Sequence, residues 1–180
     1  MKPNVHHPAL IQAASQGMDS FLKLIHDSIN DAIGGELNAD TMADLNGEQI
    51  TLLAYWMLRD EVMDGGFVQL IHNGYGPFIF LNPFAKAIRL WGEETGEEAD
   101  ATILHDFSRL IYKGRKLFEQ YGNELTRPCT DDEFMALFEQ YPAFDDLDDA
   151  FVEAEEDITS AIARYVDDHL NQFIEVAEKP

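Results

Sequence analysis

A chain of 180 residues, 46% hydrophobic and 11% aromatic, holds enough apolar material for a substantial core, which argues against wholesale disorder. It carries 34 acids against 12 bases, a net charge of −22, and such a field repels nucleic acid and anionic membrane while attracting basic proteins. No apolar run approaches a membrane span, the N-terminus lacks a signal-peptide pattern, and the single cysteine, Cys129, has no internal disulfide partner, so a cytoplasmic protein is expected.

Met18, Phe21, Leu22, Ile25, Ile29 and Ile33 recur at spacings of three and four, which predicts a helix ended by Gly34-Gly35. The terminus ahead of it, with adjacent His6 and His7, reads as mobile and offers no preorganised metal site. Residues 36–45 read as a polar connection. Asn46 with Gln49 three residues on is a capping pair for a helix carrying Leu53, Trp56 and Met63 on one face. Gly65-Gly66 breaks that helix, and Phe67 and Leu70 continue its pattern beyond the break.

Residues 77–81, PFIFL, form a short apolar run that fits a buried extended segment without demanding one. Asn82-Pro83 predicts the start of a helix ending at Gly92, and Thr95 with Glu98 predicts the start of a long one closed by Gly122. On that long helix Ile103, Phe107, Leu110, Leu117 and Tyr121 line one side, and Arg109, Lys113 and Lys116 line another. Thr130 with Glu133 caps the next helix. After Pro142 the apolar positions from Phe144 to Phe173 and Ala177 keep helical spacing almost to the end. No segment alternates at strand length. The prediction is an all-α single globular domain over residues 1–180, with seven or eight helices around a helix–Gly-Gly–helix corner.

Chemistry that would mark an enzyme is missing from the pattern. His6, His7, His26, His72, His105 and His169 sit in no HExxH motif, and none has a glutamate three residues before it, as a di-iron bundle requires. The acidic run from Asp146 fails as a calcium loop, with Phe151 where the loop needs glycine. Cys129 precedes a helix start, but Asp131, Asp132 and Glu133 oppose a thiolate there. No catalytic residue, metal site or cofactor is expected.

Two features remain. The first is the corner, Glu61, Gly65, Gly66, Phe67, Gln69 and Asn73 with Gly76 following. These residues resemble the signature of the bacterial DNA-mimic protein family, Glu-x-x-Asn-Gly-Gly-Phe-x-Gln-x-x-x-Asn, with Asp64 in place of its asparagine. The resemblance covers a core of about residues 45–125. It implies a helical fold, often dimeric, without catalytic activity, and a negative surface that occupies the nucleic-acid face of a DNA-binding protein. From the residues themselves a framework role is expected. Gly65 supplies the left-handed turn, Gly66 allows close packing, and the amides of Gln69 and Asn73 bond backbone groups freed by the break.

The second feature is charge placement. Residues 131–180, the acidic helical C-terminal segment, hold sixteen acids and two bases, whereas residues 101–130 are net positive. Asp145, Asp149, Glu153 and Glu156 form one stripe at helical spacing, and Asp148 and Glu155 form a second beside it. Eight acids in residues 145–157 amount to roughly one charge per 2.4 Å of helix axis, against roughly one per 1.7 Å in duplex DNA. A solvated outer face explains the stripes without function. The functional reading is an acidic face presented to a basic, DNA-binding partner, with no direct nucleic-acid binding. Two alternatives are an immunity-type protein that neutralises a toxin through the same acidity, and an enzyme with a pocket near Glu61, Gln69, Asn73 and Tyr75.

Overall fold

The computed structural model describes residues 1–178. In chain order it comprises β1 (Asn4–His6), α1 (His7–Gln16), α2 (Met18–Ala32), α3 (Ala39–Met42), α4 (Gly47–His72) and a π-helical turn (Pro77–Leu81). Then come α5 (Phe84–Glu94), α6 (Glu98–Leu125), α7 (Asp131–Gln140), a 3-10 turn (Pro142–Phe144), α8 (Asp145–Asp168), α9 (Leu170–Phe173) and β2 (Glu175–Ala177). The chain is all-α apart from one small parallel sheet. Among the described residues there are nine α-helices, slightly more than the seven or eight expected, because α3 and α9 are single turns of four residues.

The chain gathers into two compact units, residues 1–56 with the chain from residue 157 onward, and Met57–Glu156. In the first unit α2 buries Phe21, Leu22, Ile25 and Ile29 completely or nearly so, as their spacing predicts. Each such side chain contributes about 1.5–3 kcal/mol of apolar burial. The start of α4 is held by a reciprocal cap. Asn46 Oδ1 accepts from the Gln49 amide at 2.8 Å, and Gln49 Oε1 accepts from the Asn46 amide at 3.1 Å. The same two side chains then reach the chain ends. Gln49 Nε2 donates to the carbonyls of Met1 and Phe173, at 2.8 and 2.9 Å, and Asn46 Nδ2 donates to that of Gln172 at 2.7 Å.

Three expectations fail in this unit. The N-terminus is ordered: β1 pairs in parallel with β2, Val5 opposite Val176, so His6 is a strand residue and His7 opens α1. Ala177 does not extend the last helix, because α8 ends at Asp168 and the chain re-enters as β2. The connection over residues 36–45 contains α3, capped by Asn38, whose Oδ1 accepts from the amides of Asp40 and Thr41.

In the second unit the core is aromatic. Phe107 packs against Phe151 with ring centres 5.9 Å apart, Phe80 stacks on Phe118 at 5.4 Å, and Phe84 meets Phe107 edge-on. The apolar run PFIFL is not extended. It winds into the π-helical turn and buries Ile79 and Phe80. Gly92 does not stop α5, and Gly122 does not stop α6. A Cβ on Gly92 would lie 3.2 Å from the Ala101 carbonyl, so the missing side chain brings α5 and α6 together. Thr95 does not cap α6 either. Its amide closes α5 on the Trp91 carbonyl, and Glu97 occupies the cap position. The box at Thr130 and Glu133 forms as predicted.

Candidate functional site

The corner is a break inside α4. Gly66 has φ 76° and ψ −178°, a conformation essentially confined to glycine. The turn expected at Gly65 therefore falls on Gly66, which also keeps the close-packing role read for it from the sequence. Gly66 supplies the turn, and Gly65 gives up its side chain so that Gln69 can fold across it. The break leaves the Phe67 amide without a carbonyl one turn back. It is satisfied from another element: Asp148 Oδ1, in the first turn of α8, accepts from Phe67 N at 2.8 Å. A Cβ on Gly66 would lie 2.5 Å from Asp148 Oδ2, so this approach also depends on the glycine.

The amides of Gln69 and Asn73 were expected on backbone groups; they bond carboxylates instead. Gln69 Nε2 donates to Glu61 Oε2 at 3.0 Å and to Asp64 Oδ2 at 2.9 Å, and Asn73 Nδ2 donates to the same Glu61 oxygen at 2.9 Å. Asp64 thus supplies an acceptor oxygen that an asparagine would also carry. Phe67 is fully buried. A ring of Phe118 occupies the space a Gly76 side chain would need. His72 Nδ1 donates to the Leu125 carbonyl at 2.8 Å, tying the end of α4 to the end of α6, and Cys129 Sγ lies 3.9 Å from its Nε2. The corner spends its polar groups on its own geometry.

The six acids singled out on α8 do not form two parallel stripes on one face. Asp145, Asp149, Glu153 and Glu156 are exposed. Asp148 and Glu155 turn inward. Burial pushes the Asp148 carboxyl up to about 6; the Phe67 amide opposes the rise, and the negative charges of Asp145 and Asp149 add to it. Glu155 is 7% exposed, and its Oε1 accepts from Arg59 Nε at 2.6 Å. The periodicity carried this information: Asp148 and Glu155 follow Phe144 and Phe151 by four residues, which places them on the buried side of the helix. Within residues 145–156 the structure adds Asp146 to the exposed set, which makes five. None of the five exposed acids takes part in an ion pair among the described residues.

Residues 43–169 match the model of the DMP19-like protein family. The chain belongs to this family. The match runs beyond the 45–125 core carried by the corner motif and takes in the whole of α8. A DMP19-like relative, the DNA mimic protein DMP19 of Neisseria meningitidis serogroup B (strain ATCC BAA-335 / MC58), is 29% identical over 140 residues, covering 77% of this chain and 78% of the relative. Among the described residues no helix is long and apolar enough to cross a membrane, and no three His, Cys, Asp or Glu side chains converge as a metal site.

Proposed function

We propose that this chain presents the exposed acids of residues 145–156 to a basic, DNA-binding protein in place of DNA. The observation that carries the reading is the set of five unpaired, exposed carboxylates, Asp145, Asp146, Asp149, Glu153 and Glu156, on one helix. Over residues 145–156 their density is about one per 3.6 Å of helix axis, close to the roughly 3.4 Å per phosphate of a single DNA strand. Arg and Lys groups that grip phosphate oxygens also grip carboxylates, Arg through the same two-pronged geometry. The name of the meningococcal relative supports this assignment.

The reading is tested by neutralisation. The full chain, immobilised at low salt, should capture a DNA-binding protein from lysate of its host, and adding the free chain should release that protein from its DNA in a gel-shift assay. The quadruple variant Asp145→Asn, Asp149→Asn, Glu153→Gln, Glu156→Gln should lose both effects while keeping its helical circular dichroism. Binding by the native chain should weaken steeply from 0.05 to 0.5 M salt. A captured protein that keeps its DNA, or one that binds the quadruple variant equally well, removes the strip from the mechanism.

A further inference from the structure

Among the described residues, every helix of ten residues or more fully buries at least one side chain except α7. Its apolar positions Phe134, Ala136, Leu137 and Phe138 are only half-buried, and Met135 is 65% exposed. Its four acids, Asp131, Asp132, Glu133 and Glu139, all face solvent, and no base accompanies them on the helix.

The ties that seat α7 sit at its two ends. Near its start the Phe134 ring packs on His72, with ring centres 4.7 Å apart. Just past its end Tyr141 donates to Glu124 Oε2 at 2.6 Å and sets its ring against Tyr121 at 5.1 Å. Glu133 is spent on the Thr130 cap, and among the described residues Asp131, Asp132, Glu139 and Gln140 bond no other element through their side chains. Pro128 and Pro142 flank the helix, and because proline carries no amide proton they interrupt the helical hydrogen bonding on either side. A helix of ten residues lies below the roughly 12–15 that persist alone in water, so α7 depends on this seat. The adjoining α6 and α8, of 28 and 24 residues, bury Phe107 and Ile111 and Phe151 and Ile158 respectively. Segments with few buried apolar contacts open at lower free energy than the core around them.

We propose that α7 is a detachable arm: it leaves its seat on His72 and Glu124 and unwinds as one unit while α6 and α8 stay folded. Four carboxylates of the negative surface then ride on a moving segment, whereas those of α8 are fixed to the frame. The arm stands independently of the proposed DNA-binding partner.

Hydrogen exchange and proteolysis of the full chain test this. Amides of residues 134–140 should exchange at least about thirtyfold faster than those of residues 104–111 or 151–162. Raising urea below the unfolding transition should speed exchange of α6 and α8 steeply and of α7 only slightly, because opening the arm exposes little surface. A glutamate-specific protease should cut after Glu133 and Glu139 before it cuts after Glu153 and Glu156, which are exposed as well but lie on a firmly packed helix. Phe134→Ala removes the ring on His72, and Tyr141→Phe removes the hydroxyl on Glu124; each should speed exchange of residues 134–140 by about three- to tenfold. The conservative Tyr141→Phe keeps its ring on Tyr121 and so keeps the test open if Phe134→Ala folds poorly. Exchange in α7 as slow as in α8, an equally steep urea response, first cuts at Glu153 or Glu156, or a Tyr141→Phe variant that exchanges as the native chain does would each overturn the proposal.

Discussion

Asp148 joins the two features that the sequence presents separately. It accepts the Phe67 amide left open by the Gly66 break, and it is the group whose ionisation the fold disfavours. A carboxyl raised from 3.8 to about 6 binds its proton more tightly in the folded state. Its contribution to stability is therefore fully present below about pH 3.8 and is lost as pH rises through about 6. Asp148→Asn keeps an acceptor oxygen for Phe67 and removes the titration. Relative to the variant, the native protein should lose stability between pH 4 and 7 in urea melts; parallel profiles across that window would rule out the assignment. At Gly66 any side chain must hold a glycine-only conformation and press on Asp148. Gly66→Ala should cost about 1–3 kcal/mol by chemical denaturation, and a loss below about 0.5 kcal/mol would show that the corner relaxes freely. Glycine at this corner was legible in the sequence, but which glycine does what was not, because the choice depends on where Gln69 folds and where α8 arrives.

At the scale of elements, local signals were read correctly when both partners of an interaction lie within one turn. The reciprocal caps at Asn46–Gln49 and Thr130–Glu133 are of this kind. Thr95–Glu98 has the same pattern and does not form, since only residues 95–97 join α5 to α6 and Thr95 is occupied in closing α5. Gly92 and Gly122 resemble helix stops, but both are places where another group sits close, a property of packing that spacing cannot reveal. The β1–β2 pairing was hidden for a similar reason: three-residue strands carry little pattern, and their partners are some 170 positions apart. Gln49 shows how a local cap becomes a long-range tie. Gln49→Ala should cost about 1–3 kcal/mol, more than loss of a surface cap, because the carbonyls of Met1 and Phe173 lose their donor. Hydrogen exchange should rise at β1 and β2 in that variant; unchanged exchange there would confine Gln49 to its own helix.

Across the whole molecule, charge is sorted by surroundings. The segment from Asp145 looked uniformly acidic, and the structure divides it into inward acids with assigned partners and outward acids with none. Outward like charges three or four apart repel, at about 0.2–0.5 kcal/mol per pair. The quadruple neutral variant should therefore be more stable than the native chain by up to about 1 kcal/mol at low ionic strength, with the gain shrinking in 0.5 M salt. Thermal melts in the two buffers decide it. A loss of stability would mean that the exposed acids support the fold, and the strip would then lose its standing as a surface kept for binding.

The Gly66–Asp148 and Arg59–Glu155 contacts also bear on how this family varies over time. Each is a matched pair in which one member is intelligible only beside the other, so substitutions at the two positions should be inherited together. The outward acids answer to a looser requirement. Aspartate can replace glutamate, or a carboxylate can migrate by one turn, provided the tally along the helix is kept. Descendant sequences should then show rigid covariation at 66 with 148 and at 59 with 155, beside a strip whose individual positions wander. Within one helix, ancestry would be recorded in the hidden carboxylates, while the visible ones remain free to follow whatever they meet.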